Sequence, residues 1–376
     1  MDNPFVITGR YVSAEYFCDR EKETAELVSN IENWRNTVLI SLRRMGKSGL
    51  ISHVYAQERI KKNYETFFID IYDTTSLEDF VLLFSKEISS RLQPKGMKFF
   101  EKFVSIVNSL KVSLGTDMAT GFPTADISLG EIVNPVKTLE QLFAFLEASE
   151  KPCIVAIDEF QQIADYRDGK KNIVTLRTLV QSCRKTGFIF AGSNRRMMSR
   201  LFNNPSEPFF MSCTPIHLEP IAKARYSEFV RKHFEADAKM ISEECVEYVY
   251  DTFEGHTWFM QYVFNRMFEL TDKDSPATVA SADEAVSHII DLFAPSFQEL
   301  FVRRSERQRA LLIAVAKSRK VESPTSAVFI SKYRLQSASA VQGAMKPLLD
   351  DETISFLDGC YFISNRFFSL WLARRY

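Results

Sequence analysis

Short apolar runs alternate with amphipathic stretches through the first half of the chain. Residues 37–42 (Thr-Val-Leu-Ile-Ser-Leu), 66–71, 153–157 and 187–191 are each strand-length and almost continuously apolar. Continuous rather than alternating hydrophobicity marks strands covered on both faces, as in a parallel sheet flanked by helices. The stretches between them read as helices: one runs on from residue 48 through Tyr55 and Ile60. Another starts at Ser76, with Glu78 and Asp79 in its first turn. This βα alternation predicts an α/β fold, a parallel sheet sandwiched by helices.

Between the second and third strands the pattern changes. Residues 98–110 have helical spacing. Residues 111–114 and 125–129 alternate apolar and polar around Gly115, Gly121 and Pro123, which predicts an inserted helix and β-hairpin at about 95–135. After Pro215 and Pro220 the chain turns helical, with helices expected at 223–234, 242–253, 257–270 and 282–293. The last section predicts helices at 305–318, 326–333 and 337–349. Two strands at 353–357 and 360–364 follow, joined by Asp358-Gly359, a strong two-residue hairpin signal. Three helices followed by a hairpin predict a winged helix. The expected domains are therefore a core over 1–218, a helical lid over 219–294 and a winged helix over 295–376.

Composition narrows the class. At 376 residues the chain exceeds one ordinary domain, and 45% hydrophobic with 25% charged residues is a globular balance. No apolar run approaches the ~18 residues of a membrane span. The opening Met1-Asp2-Asn3-Pro4 lacks the basic-then-apolar character of a secretory signal, so a cytoplasmic location without membrane contact is expected. Six scattered cysteines with no C-x-x-C pair read as packing residues rather than a zinc or disulfide framework. The net charge of −1 conceals an asymmetry: residues 301–376 hold 13 Lys/Arg against 6 Asp/Glu, and residues 1–300 hold 34 against 42. A basic tail on an acidic body suits an anionic partner.

The chemistry concentrates at two points. Gly46-Lys47-Ser48 follows the first strand and opens a helix, the context of a P-loop, in which backbone N–H groups and the helix N-terminus cradle phosphates. Lys47 is then expected at the β/γ-phosphates and the Ser48 hydroxyl on Mg²⁺. Ser41 stands where the full pattern has glycine, and a positive φ at that place suits serine less well. The third strand ends in Asp158-Glu159 at the carboxyl edge of the sheet, where Asp158 can hold the metal shell and Glu159 can act as general base. The fourth strand runs into Gly192-Ser193-Asn194-Arg195-Arg196: Asn194 is a candidate to orient water, and Arg195 or Arg196 to neutralise developing charge.

With these residues in place the chain resembles the archaeal-type ATPase family, a STAND-class branch of the P-loop NTPases related to the AAA+ proteins. The resemblance rests on Phe17-Cys18-Asp19-Arg20-Glu21 with Glu23 and Leu27, on Leu42-Arg43-Arg44-Met45-Gly46-Lys47-Ser48, on residues 68–73, on Ile157-Asp158-Glu159-Phe160-Gln161 and on Gly192-Ser193. It implies a nucleotide-binding core, a helical lid and a C-terminal winged helix. It also implies a nucleotide site containing Ser41, Arg43, Arg44, Met45, Gly46, Lys47, Ser48 and Gly49, with Asp19 and Arg20 beside the adenine. Arg195 matches the arginine that reads the γ-phosphate. Glu254-Gly255-His256-Thr257-Trp258 stands where relatives have a G-x-P lid motif, Thr257 replacing the proline.

The expected function is a slow or partner-dependent Mg-ATPase switch, with ATP and Mg²⁺ bound at Lys47, Ser48 and Asp158. Its nucleotide state would set a winged helix that engages double-stranded DNA or a protein. For DNA the candidates are Ser337, Ser339, Gln342 and Lys346 on the third helix, with Lys332, Arg334 and Arg366 meeting phosphates. A nucleotide-dependent oligomer fits the same reading. The alternative is a nucleotide-dependent adaptor with little or no catalysis.

Overall fold

The computed structural model describes residues 3–7, 13–92, 103, 105, 107, 113–116, 123–126, 132 and 134–376. It divides into two compact units, Gly9–Glu219 and Pro220–Tyr376, the second taking in the N-terminal residues Met1–Thr8.

The first unit is built on five parallel strands in the order β2-β5-β6-β1-β7: β1 is Thr37–Ile40, β2 Glu65–Asp70, β5 Cys153–Asp158, β6 Thr186–Gly192 and β7 Thr214–His217. Both faces of the sheet are covered. Val38, Ile40, Val155, Ile157, Phe188 and Phe190 join a core with the helices Leu77–Leu92 and Pro135–Glu147. The intervening Leu39, Ile154, Ala156, Ile189 and Ala191 pack on the other face against the helices Glu21–Glu32 and Lys47–Ala56. This two-sided burial is why the strands read as unbroken apolar runs. Phe160, Phe190, Phe202 and Phe209 meet with centroids 4.6–5.7 Å apart and brace the end of β5 against β6. Each such ring pair adds ~0.5–1.5 kcal/mol beyond area burial.

The insertion pairs β3, Ser113–Thr116, antiparallel with β4, Pro123–Asp126, so pairing runs through Gly115 and Pro123, expected between the strands; residues 111–112 and 127–129 of the expected strands lie outside the described residues. Of the helix expected at 98–110, only residues 103, 105 and 107 are described and the first two are helical; the rest lies outside the described residues.

The second unit is helical up to its terminal hairpin. The helices Lys223–Ala236, Glu243–Phe253 and Thr257–Leu270 lead into Val279–Val302, a single helix that runs through the expected boundary at 294/295 with Pro295 inside it. Three helices follow, Glu306–Ser318, Ala327–Tyr333 and Ala338–Asp350, each preceded by a serine (Ser305, Ser326, Ser337) whose hydroxyl caps it. The wing is β8, Ile354–Leu357, paired antiparallel with β9, Cys360–Ile363, and the helix Arg366–Arg375 closes the chain. Phe367 packs among Phe253, Phe259 and Tyr262, which ties the last helix to the helices before Val279.

One element had no sequence signal. Phe5 is fully buried in this second unit, ringed by Phe229, His233, Phe234, Phe264 and Phe268. Asn3 Nδ2 donates to the Asn265 carbonyl at 2.8 Å, and Asn265 Nδ2 donates to the Phe5 carbonyl at 2.7 Å. Among the described residues no helix is long and apolar enough to cross a membrane.

Candidate active site

The turn after β1 reverses direction through two left-handed residues, Arg44 (φ 67°) and Gly46 (φ 95°), before the helix Lys47–Ala56 begins. The loop's positive-φ positions are thus 44 and 46. Ser41, whose departure from glycine put a positive φ in question, is not one of them: it lies fully buried, its hydroxyl donating to the Leu42 carbonyl at 3.0 Å. At Gly46 a side chain would meet no neighbour within 4 Å, so glycine serves the backbone angle rather than space.

Lys47 is buried, and its Nζ donates to the Leu42 carbonyl at 3.3 Å and to Ser41 Oγ at 3.4 Å. Ser48 Oγ donates to Asp158 Oδ2, joining the phosphate-loop candidate to the end of β5 although β6 lies between β1 and β5 in the sheet. The expected convergence of ammonium, hydroxyl and carboxylate is therefore present in the structure. Burial pushes the Asp158 carboxyl above the usual carboxylate range; the Ser48 hydrogen bond and the Lys47 charge pull it down, and Glu159 and Asp70 push it up further. Asp70, paired with Asp158 in register on β2, is raised too, by burial first, while the Tyr72 N–H holds it down. A buried carboxylate touching a hydroxyl beside further carboxylates is an oxygen-donor set that suits a hard divalent cation such as Mg²⁺.

Glu159 has a left-handed backbone (φ 56°, ψ 38°), the kind of strained geometry that tertiary contacts must hold in place. Its Oε2 accepts from Ser193 N at 3.2 Å, Ser193 Oγ at 2.8 Å and Gln161 Nε2 at 2.5 Å. Neither Ser193 nor Gln161 was singled out for a role from the sequence. The signal lay in their flanking of two strand ends that are neighbours in the sheet. Asn194, the candidate for orienting water, caps the helix Arg195–Asn203, its Oδ1 accepting from Met197 N at 3.0 Å. Arg195, half-buried, and Arg196, exposed, occupy the first turn of that helix, where the dipole disfavours cations unless an anion compensates.

On the other side of the loop, Asp19 and Arg20 are consecutive left-handed residues (φ 55° and 73°). The buried Arg20 guanidinium bonds Glu23 Oε1 at 2.8 Å and the Met45 carbonyl at 3.4 Å, linking the helix Glu21–Glu32 to the phosphate loop. Phe17 stacks on His53 with centroids 4.3 Å apart and lies 3.7 Å from a side chain built at Gly49, a contact that sequence spacing did not reveal. Arg43 lies over the exposed Tyr72 ring, 4.7 Å from its centroid.

In the winged helix, Ser337, Ser339, Gln342 and Lys346 are exposed, as are Lys332 and Arg334, while Val341, Met345 and Leu348 face inward. Ser337 is also engaged as a cap, accepting from Ala340 N at 3.2 Å. Arg366 does not belong to this surface. It is buried against the Phe362 ring and donates to Glu254 Oε2 at 2.6 Å, an ion pair that Lys320 joins at 2.9 Å. It looked like a phosphate contact because its partner lies 112 positions away in the sequence.

A family described as "ATPase domain predominantly from Archaea" matches residues 17–263, and a family described as a probable winged helix domain matches residues 295–374. None of the curated proteins compared with the sequence matches it. Among solved structures, the Walker-type ATPase of Pyrococcus abyssi is similar over 98% of this chain and 99% of its own, at 19% identity and a TM-score of 0.67. The ORC2 protein of Aeropyrum pernix is similar over 100% and 98%, at 12% identity and a TM-score of 0.61. The ORC1 protein of the same organism, solved in complex with DNA, is similar over 99% and 96%, at 10% identity and a TM-score of 0.55. At these identities the likeness shows the fold, a P-loop AAA+-type sheet followed by a winged helix. The family match extends over more than half of the sequence, and the chain belongs to the archaeal ATPase-domain family, here joined to a winged-helix domain.

Proposed function

We propose that the protein is a Mg²⁺-dependent ATP-hydrolysing switch whose nucleotide state governs what its winged helix binds. The observation that carries this reading is the direct bond between Ser48 and Asp158, with Lys47 buried beside them, at the carboxyl edge of a parallel sheet. Ligands of α/β sheets bind at that edge.

The N–H groups of the turn and the Lys47 ammonium hold the β- and γ-phosphates. Ser48 and Asp158 would hold Mg²⁺, which when bound draws charge from the γ-phosphoryl oxygens. Glu159 takes a proton from the attacking water as its oxygen bonds to phosphorus and the bond to ADP breaks. Arg195, at the first position of its helix, meets the γ-phosphate and settles its own unfavourable place on the helix dipole. Asp19 and Arg20 lie beside the adenine. Because Arg20 holds the Met45 carbonyl, a change in loop occupancy reaches the start of the helix Glu21–Glu32 through that bond.

Double-stranded DNA is the proposed partner. Lys332, Arg334, Ser339, Gln342 and Lys346 are exposed on the helical side of the winged helix, and a fold relative was solved with DNA. Two observations favour a second reading, a protein partner at the wing: residues 352–365 contain no Lys or Arg, and Phe356 on β8 is 52% exposed.

A Mg-ATP-induced thermal shift that Lys47→Ala removes, with phosphate release stimulated by duplex DNA, is the expected result. Release that ignores DNA while Lys346→Ala leaves DNA affinity unchanged would turn the reading toward the protein partner. No nucleotide-dependent shift in the wild type would refute the switch.

A further inference from the structure

We infer that Gln161 is a positioning residue for Glu159, holding the general base by one carboxylate oxygen so that the other is presented to water. The inference rests on the hydrolytic reading above and deepens it.

Gln161 lies in the short 3-10 helix Phe160–Asp165, which leaves β5 directly after Glu159. Its origin is fixed, because the preceding Phe160 is locked among Phe190, Phe202 and Phe209. The amide is buried, and its two ends are treated differently. Nε2 donates to Glu159 Oε2 at 2.5 Å, whereas Oε1 is buried without a hydrogen-bond partner among the described residues. Oε1 also lies 2.3 Å from where a Cβ on residue 192 would sit, and Met198 Sδ lies 2.5 Å from the same point. Gly192 is thus what admits the amide.

An orphaned buried carbonyl oxygen weakens a fold, and an apolar side chain of the same size would remove that penalty. For packing alone glutamine is the inferior residue here; what it contributes is the N–H on Glu159. Ser193, directly after β6, supplies the remaining donors to the same oxygen. Donors from two elements converging on one oxygen stop the carboxylate from rotating, and they pin a residue whose backbone is left-handed. Without Gln161 the carboxylate pivots on Ser193 alone, and a base misplaced by ~1 Å costs on the order of 10²-fold in rate.

The test is Gln161→Leu, with Gln161→Met as a second volume-conserving variant. Each is expected to lower kcat by roughly 10–100-fold, to leave KM and nucleotide affinity within about twofold, and to keep or raise Tm. Gly192→Ala, which displaces the amide, should lower kcat in the same way. The decisive readout is the cycle with Glu159→Gln, measured by single turnover. If Gln161 acts through Glu159, then Glu159→Gln/Gln161→Leu hydrolyses no more slowly than Glu159→Gln. Wild-type kcat in both Gln161 variants, or a full additional loss in the double variant, overturns the inference while leaving the hydrolytic reading intact. Wild-type kcat in Glu159→Gln itself overturns both.

Discussion

His256 should make the helical unit acid-labile, and the size of the effect follows from its surroundings. It sits between Gly255 and the helix Thr257–Leu270, 5% exposed, with Nδ1 buried and without a partner among the described residues. Burial is the first cause that lowers its pKa, to about 3, and the nearby charges of Arg366 and Lys320, both paired with Glu254, lower it further. The folded value is depressed below the unfolded 6.5, so the ring stays neutral in the native state and takes up a proton on unfolding. Its contribution is fully present above 6.5 and is lost as pH falls from there toward 3. At about pH 5 the unfolded state binds this proton and the folded state does not, a loss of about 2 kcal/mol relative to neutrality. His256→Phe keeps a ring beside Phe259, whose centroid is 5.7 Å from that of the imidazole, and removes the titration. Urea unfolding at ~pH 7.5 and ~pH 5 should give a pH-dependent loss about 2 kcal/mol smaller in the variant than in the wild type. Equal losses in the two proteins would refute the argument.

Two further outcomes follow from buried groups. Phe5→Ala empties the centre of a five-ring cluster and should cost ~3–5 kcal/mol, read as a lower denaturant midpoint. An unchanged midpoint would mean that the N-terminal anchor contributes nothing to stability. Asp158→Asn should raise Tm without nucleotide, because burial raises the carboxyl and its ionised form weakens the fold as pH rises through the folded value. The same variant should lose the Mg²⁺-dependent part of nucleotide binding; a lower Tm without nucleotide would contradict the electrostatic account.

How much of this was legible in the sequence depended on whether the cause was local. The buried strands, the serine caps and the Asp358-Gly359 hairpin are local physics, and they appear where the pattern placed them to within one or two residues. So does the pairing of a Lys-Ser helix start with a strand ending in Asp158. What depended on distant partners was missed. Phe5 is one apolar residue in a segment with no period, buried by helices more than 220 residues away. Arg366 carries the same charge in a phosphate contact as in a buried ion pair, and only Glu254 distinguishes the two. The left-handed Glu159 has no glycine to announce it, and the Ser193 and Gln161 donors that hold its carboxylate come together only in the fold. Pro295 suggested a break, but the helix Val279–Val302 continues through it, with Phe297 and Phe301 beyond the proline both packed on Trp371. Ser48 and Asp158, expected to converge, do touch, while the contacts of Glu159 with Ser193 and Gln161 were not visible without the sheet order.

Whether Glu159 withdraws the proton from water at a nucleotide held by Lys47, Ser48 and Asp158 is decided by phosphate release from Glu159→Gln beside the wild type at saturating Mg-ATP. Release should fall roughly 10²–10⁴-fold with ATP still bound. Release at the wild-type rate, with ATP bound, would contradict it.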